Sequence, residues 1–253
     1  FTFILCYFKN KCQVIYFIFD SGTKYTTMNF QIIENGTFAA LKIQLEKGEG
    51  IKAEAGAMVA KDVSIQIEGK LDGGLLGGLG RMLAGETMFV QTLKAKESAG
   101  EVILAPTILG DIIELDVESG VVWNVAKDGF FAGEEGLRIS TKMQNLAKGL
   151  FSGEGFFVVK VSGEGKAFLS SFGAVVKVNI EAGKDYIIDN HHLVAWPDNA
   201  KIKIEKASKG WINSLSSGEG LVTKITGPTE VYIQTRNVQA FSSWMGKFLK
   251  LKS

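Results

Sequence analysis

The chain has 253 residues, of which 46% are hydrophobic and 22% charged, and its 28 basic and 27 acidic residues leave a net charge of +1. This composition is typical of a globular protein with a real core, and it argues against a disordered chain, a basic nucleic-acid-binding protein and an acidic tail protein. Thirty glycines against three prolines favour many tight turns between short strands. Two cysteines and two histidines are few for a disulfide framework or a metal cage.

The first 27 residues differ from the remainder. They contain both cysteines and five of the seventeen phenylalanines but one of the thirty glycines. Two apolar runs, Phe1–Phe8 and Val14–Phe19, are separated by two lysines, and neither reaches the roughly 20 residues that a membrane span needs. We interpret residues 1–27 as translated upstream sequence of an AT-rich genome, with Met28 as the start. An interfacial anchor and a signal peptide are the alternatives.

From residue 28 to 236 the chain reads as short strands separated by Gly, Asn, Asp or Ser turns. Alternation of apolar and polar residues is clear in Val63–Ile67 and Ala200–Ile204. A Gly-Glu motif recurs at intervals of 68 and 65 residues, in Ala84–Val90, Ser152–Val158 and Ser217–Thr223. The pattern predicts an all-β fold of three tandem units of a β-barrel or β-helix type, at about 29–105, 106–170 and 171–236.

The repeated glycines and glutamates are the first candidate site. We favour a structural role, in which glycine permits a close backbone approach and glutamate caps neighbouring backbone N–H groups. The alternative is a ring of carboxylates that binds cations in an oligomer. The residues are Gly85, Glu86, Gly153, Glu154, Gly155, Gly218, Glu219 and Gly220.

An apolar segment precedes each motif, and the segment before the first motif is the longest. Five glycines within residues 73–80 weaken any helix there by about 1 kcal/mol each relative to alanine. The side chains either close a barrel end or form a subunit interface, or they present an exposed apolar face to a membrane or partner. The residues are Leu75, Leu76, Leu79, Met82 and Leu83.

The tail, residues 237–253, has the spacing of a short amphipathic helix, with three lysines and no acidic residue. It either docks on the body or on a neighbouring subunit, or it lies on an anionic lipid surface. Its candidate contact residues are Trp244, Met245, Phe248 and Leu249, which follow Phe241 at helical spacing.

No pattern of catalytic chemistry is present. His191 and His192 are adjacent, and adjacent residues of a strand point to opposite faces, so they do not form a metal site. The chain lacks a Gly-x-Ser-x-Gly elbow, a dinucleotide-binding glycine pattern in a βαβ unit and a Walker sequence. We therefore predict no catalytic residue, no cofactor, no metal and no enzyme activity.

The body resembles a known family. The residues that carry this resemblance are Glu54–Met58, Gly73–Glu86, Leu104–Pro106, Gly110–Ile113, Gly149–Phe157 and His192–Trp196. Over about residues 29–235 they are similar to the Altered Inheritance of Mitochondria protein twenty-four family. The resemblance implies a fold similar to the tryptophan RNA-binding attenuation protein, with tandem β-barrel-like units, and assembly into a homotrimer. Mitochondrial members look like inner-membrane organisation factors, whereas the absence of a mitochondrial presequence here favours a prokaryotic member.

The function expected from the sequence is that of a non-catalytic homo-oligomeric scaffold or interaction protein. It would be cytoplasmic and peripheral to the inner face of the membrane, with an anionic lipid surface or a membrane protein as partner. The alternative is a soluble β-barrel module that binds a small ligand or a cation. We expect no nucleic-acid partner, because residues 28–253 have a charge near −1 and lack the basic footprint that phosphate binding needs.

Overall fold

The computed structural model describes residues 29–68, 90–144, 156–206 and 221–249, without residues 35, 37 and 127. Within these ranges the fold is all-β, as predicted, with one short helix near the end. The first strand is β1 (Asn29–Ile33). It is followed by three groups of six strands, which we call units 1, 2 and 3.

The strands of the units are as follows. Unit 1 contains β2 (Ala40–Leu45), β3 (Gly50–Glu54), β4 (Met58–Lys61), β5 (Ile65–Glu68), β6 (Val90–Ala95) and β7 (Gly100–Leu104). Unit 2 contains β8 (Ile112–Val117), β9 (Trp123–Ala126), β10 (Phe130–Glu134), β11 (Arg138–Gln144), β12 (Phe156–Ser162) and β13 (Gly165–Ser170). Unit 3 contains β14 (Val175–Ile180), β15 (Asp185–Asp189), β16 (Leu193–Pro197), β17 (Lys201–Lys206), β18 (Leu221–Thr226) and β19 (Thr229–Gln234). A 3₁₀ turn (Asn190–His192) precedes β16, and helix α1 (Val238–Gly246) follows β19.

All three units pair their strands in the same way. The sixth strand lies between the first and the third, and the fifth strand lies between the second and the fourth, always antiparallel. The third strand of each unit carries an irregularity in the same place, between Met58 and Ala60, Phe130 and Ala132, or Leu193 and Ala195. This shared irregularity fixes which residues of the three units are equivalent.

Neighbouring units are joined by one further strand pair. The second strand of a unit pairs antiparallel with the third strand of the next unit, as β3 does with β10 and β9 with β16. These pairs create two six-stranded sheets, in the orders β5-β6-β3-β10-β13-β8 and β11-β12-β9-β16-β19-β14. The same scheme leaves β4 and β15 as outer strands of the two smaller sheets, β1-β2-β7-β4 and β15-β18-β17.

Each core is completed by the unit that follows it. Phe131, Ala132 and Phe168 of unit 2 lie in the core of unit 1, and Val194 and Ala195 of unit 3 lie in the core of unit 2. Full burial of one such phenylalanine is worth about 1.5–3 kcal/mol. Consecutive units therefore share their hydrophobic cores and do not merely touch.

The alternation of side chains explains why these segments form strands. In β8, Leu115 and Val117 are buried while Glu114 and Asp116 point outward, which is the period of two expected for a half-buried strand. Both carboxylates pair with Lys166 on the neighbouring strand β13. One face of the sheet thus packs on the core, and the other carries cross-strand ion pairs.

A glycine is required where units 2 and 3 begin. Gly110 forms a parallel bridge with Gly173, and a Cβ atom on Gly110 would lie 2.2 Å from the carbonyl oxygen of Ser171. No side chain fits at that distance, so glycine permits the close backbone approach. Trp123 and Trp196 are buried.

Two local predictions differ from the structure. Val63 lies in the turn that precedes β5, so the strand begins two residues later than the alternation predicts. His191 and His192 lie in the 3₁₀ turn rather than in a strand, because the Asp189 carboxylate accepts a hydrogen bond from the His191 backbone and caps the turn. His192 Nδ1 lies 2.7 Å from the carbonyl oxygen of Gln234.

Candidate interaction surface

The chain segment that leads into α1 is fastened to the body. The backbone N–H of Thr235 donates to the carbonyl of Ala174 at 3.0 Å, and that of Arg236 donates to the carbonyl of Phe172 at 3.1 Å. The side chain of Asn237 then accepts a hydrogen bond from the Ala240 N–H at 3.0 Å. Asparagine is among the best residues at this N-cap position because it satisfies one of the donors that the first turn leaves open.

A row of four aromatic rings continues from this point. The rings of Phe172 and Phe241 are 5.3 Å apart, those of Phe241 and Trp244 are 5.9 Å apart, and those of Trp244 and Phe248 are 5.2 Å apart. All three distances lie in the favourable range for tilted or edge-on ring pairs. The row begins in the connection between β13 and β14 and runs along the helix.

The rings become more exposed along this row. Phe241 is 40% exposed, Trp244 52% and Phe248 68%, and no residue of α1 is buried. We call the exposed apolar side chains of this region the tail surface; they are Val238, Phe241, Trp244, Phe248 and Leu249. Of the four predicted contact residues, Trp244, Phe248 and Leu249 are exposed and Met245 is half-buried.

The helix is shorter than the sequence pattern suggests. It ends at Gly246, and Phe248 and Leu249 lie in the turn that follows, where both backbone N–H groups donate to the carbonyl of Met245. Glycine is a poor helix former and commonly ends a helix. The turn still keeps Phe248 against Trp244, so the two residues stay on one surface.

The sequence of the tail is basic. Residues 236–253 contain Arg236, Lys247, Lys250 and Lys252 and no aspartate or glutamate. Exposed aromatic side chains on a helix without acidic residues, followed in the sequence by lysines, are features of an interfacial helix. In the described part of the chain, no helix has the length and apolar character needed to cross a bilayer.

The other predicted site residues lie outside the described residues. These are the repeated glycines and glutamates Gly85, Glu86, Gly153, Glu154, Gly155, Gly218, Glu219 and Gly220, and the apolar residues Leu75, Leu76, Leu79, Met82 and Leu83. The strands on either side are described, and they pair antiparallel in every unit: β5 with β6, β11 with β12, and β17 with β18. The three segments that carry the Gly-Glu motifs therefore each connect the fourth strand of a unit to its fifth strand.

Charged groups elsewhere serve strand pairing. Burial raises the pKa of the Glu134 carboxyl, although a hydrogen bond from the Lys166 backbone and the charge of Lys166 act in the opposite direction. Burial alone would lower the pKa of Lys166, but its hydrogen bonds to Asp116 and Glu114 outweigh burial, and the pKa is raised.

Across the ranges that the structure describes, no cluster of three or more His, Cys, Asp or Glu could hold a metal ion.

Comparison with known proteins identifies the family. The model of the family "Mitochondrial biogenesis AIM24" matches residues 30–236. The chain belongs to this family. The resemblance that the sequence motifs indicated is therefore confirmed. The AIM24 match ends at Arg236, so α1 and the tail surface follow the matched region.

Two relatives of this AIM24 protein are bacterial. An uncharacterised protein of Streptococcus pyogenes serotype M6 is 31% identical over 250 residues, which cover 95% of this chain and 99% of the relative. The crystal structure of a Streptococcus pyogenes protein from a structural genomics consortium is similar with a TM-score of 0.73 and 30% identity. This similarity covers 88% of the present chain and all of the other. These likenesses agree with the expectation of a prokaryotic member.

Sequence reasoning did not find Phe172. A single aromatic residue in a turn has no periodicity, so nothing in the local pattern links it to a helix 69 residues later in the chain.

Proposed function

We propose that this AIM24 protein is a non-catalytic, self-associating scaffold that binds an anionic membrane surface through the tail surface. The observation that supports this best is the row of exposed rings on a cationic tail that has no acidic residue. In a prokaryotic cell the inner face of the cytoplasmic membrane supplies the complementary negative surface potential.

The energetics favour a reversible, multivalent contact. Trp244 and Phe248 each offer a large, exposed apolar surface, and full burial of such a side chain is worth about 1.5–3 kcal/mol. One short helix of this kind binds weakly. An assembly with several tails binds more tightly, because after the first contact the other tails are held near the same surface. Self-association and membrane binding therefore reinforce each other in this proposal.

Flotation with vesicles tests the membrane contact. The full chain is expected to float with vesicles that contain anionic phosphatidylglycerol and to stay with the sedimented fraction when vesicles are purely zwitterionic. The double variant Trp244→Ser and Phe248→Ser should lose flotation and keep its melting temperature, because both side chains are exposed in the folded chain.

A matched control is available on the body. Leu109 and Val176 are also exposed apolar residues but lie outside the tail, so the double variant Leu109→Ser and Val176→Ser removes apolar surface without touching the rings. It should float like the unaltered protein. The membrane proposal fails if the tail variant still floats, or if the unaltered protein binds no anionic vesicle.

The alternative function, a soluble module for a small ligand or cation, depends on Glu86, Glu154 and Glu219, which lie outside the described residues. No observation in the remainder of the chain favours it over the membrane-bound scaffold.

A further inference from the structure

Two strands lack the partner that their equivalents have. In units 1 and 2 the second strand pairs with the third strand of the following unit. In unit 3 the second strand is β15, and among the described residues it pairs only with β18. In unit 1 the third strand is β4, and within the same ranges it pairs only with β7. Each is therefore an outer strand of the described sheets, with one backbone edge that no described strand covers.

The exposure of β4 shows what the missing partner would cover. Val59 is equivalent to Phe131 and Val194, because all three lie within the irregularity of the third strand. Phe131 and Val194 are 0% and 2% exposed and fill the core of the preceding unit, whereas Val59 is 62% exposed. Ala60 is likewise exposed, while the equivalent Ala132 and Ala195 are fully buried.

At the joined edges, polar side chains meet across the strands. In the junction of units 2 and 3, Asp198 Oδ1 lies 3.0 Å from Asn124 Nδ2 and 2.6 Å from Lys160 Nζ. In the junction of units 1 and 2, Lys52 Nζ donates to the backbone carbonyl of Glu135 at 2.7 Å, and the Glu135 carboxylate pairs with a lysine of β6. Each junction is closed by an acidic residue on one side and a polar or basic residue on the other.

At the free edges, both of these positions are apolar. Val63 stands where Glu135 and Asp198 stand in the other units, in the same turn after the third strand, and it is 100% exposed. Ile187 stands where Lys52 and Asn124 stand, and it is 61% exposed. The two residues that form a polar pair in each inner junction thus correspond to two apolar residues, Val63 at the edge of β4 and Ile187 at the edge of β15. This is the change expected of two surfaces that contact each other.

We infer that β15 of one copy pairs antiparallel with β4 of the next copy, in the arrangement that joins units within the chain. The inference rests on the proposed self-association and gives it a defined interface. Transposing the observed register of β9 with β16 and of β3 with β10 places three residue pairs opposite each other across the two copies. The pairs are Ala60 with Ile188, Lys61 with Ile187, and Asp62 with Tyr186.

The packing that follows is specific. Val59 of one copy enters the core of unit 3 of its neighbour, as Phe131 and Val194 enter the cores of units 1 and 2. Tyr186 meets Ile103 of the other copy, as its equivalent Trp123 meets Tyr232 at 5.8 Å. The interface is head-to-tail, so it closes into a ring or continues as a filament, and a closed ring leaves neither strand unpaired.

Cysteine cross-linking tests the register. The chain has cysteines only at positions 6 and 12, and replacing both with serine gives a full-length background without thiols. The variant with Lys61→Cys and Ile187→Cys should then give covalent dimers and higher oligomers under mild oxidation or with a short bismaleimide. The single variants, and the shifted pair Lys61→Cys with Asp185→Cys, should give little product.

Introducing charges at the apolar pair, Val63 and Ile187, gives a second test. Val63→Glu or Ile187→Lys alone should weaken self-association about tenfold or more, measured by light scattering over a dilution series, with an unchanged melting temperature at high dilution. The two substitutions together recreate the acidic and basic residues of the inner junctions and should restore assembly. An equal defect in the double variant would overturn the inference.

The outcomes separate the two proposals. An oligomer that gives no Lys61–Ile187 cross-link assembles by another surface, which overturns the strand pairing and leaves self-association intact. A cross-linked product of monomer mass would show that the two strands pair within one chain, which also overturns it. A chain that stays monomeric removes self-association from the proposed function, whereas membrane binding is decided by flotation alone.

Discussion

The ring of Phe172 lies 5.3 Å from the ring of Phe241, and this contact joins the β body to the helix that carries the tail surface. Phe172 belongs to the connection between units 2 and 3, and its carbonyl also accepts a hydrogen bond from Arg236. The body thus holds the start of the helix through both backbone and side chain, while the later rings remain exposed.

Replacing Phe172 with alanine is expected to loosen α1 without unfolding the units. Phe172 is half-buried and belongs to none of the three core clusters, so the global free energy of unfolding should change little. Hydrogen exchange of the backbone amides in residues 238–246 should become faster. Phe38→Ala is the control, because Phe38 is an exposed phenylalanine far from the helix in sequence. Equal protection of α1 in both variants would contradict an anchoring role.

Removing Phe131 should destabilise the body strongly. Its side chain is fully buried and completes the core of unit 1 from unit 2, so Phe131→Ala leaves a cavity and should lower the free energy of unfolding by about 3–5 kcal/mol. Urea denaturation at low protein concentration measures this. The equivalent Val59→Ala should change the same quantity by less than about 0.5 kcal/mol, because Val59 is exposed in the single chain. Similar losses in both variants would show that the two positions are not distinguished by burial.

The pH dependence of stability should respond to Glu54. Burial, followed by the charge of Asp128, raises the pKa of its carboxyl above the ordinary value of 4.5. A folded-state pKa above that of the unfolded chain favours the folded protein at low pH, and this contribution is lost as the pH rises through the folded-state pKa. Glu54→Gln should therefore be more stable than the unaltered protein at neutral pH, and the difference should vanish below about pH 4.5.

Thermal melts across this pH range measure the effect. Glu118→Gln is a suitable control, because its side chain is exposed. A Glu54→Gln variant that is less stable than the unaltered protein at neutral pH would show that the ionised carboxylate has a favourable partner.

Several features could be predicted because they depend on local sequence. Alternation with a period of two is enough to indicate strands, since one face of each sheet must be apolar to pack on a core; Leu115 and Val117 beside Glu114 and Asp116 show this directly. The spacing of Phe241 and Trp244 similarly predicts that both lie on one face of a helix, which the ring contact confirms. The Gly-Leu run before Gly85 indicated the family, and the family match confirms it.

Which residues are buried at the unit junctions could not be predicted from the local sequence. Val59, Phe131 and Val194 are all apolar residues in strands, and nothing in their own segments distinguishes the exposed one from the buried ones. Their exposure depends on whether a strand of another unit lies alongside, which is a long-range relationship. For the same reason the contact between Phe172 and Phe241 has no local signal.

The sequence alone determined the class of fold, the family and the character of the tail, because alternation, motifs and charge are properties of neighbouring residues. The tertiary structure decided which apolar residues are exposed on the surface. Val63 and Ile187 occupy positions that carry acidic, basic or amide side chains elsewhere in the repeat, and they are exposed because no described strand pairs with the outer edge of β4 or of β15. An edge strand has unpaired backbone groups whatever its sequence, so the position of β4 and β15 in the sheets, and not their composition, defines the surface where we propose that another copy pairs.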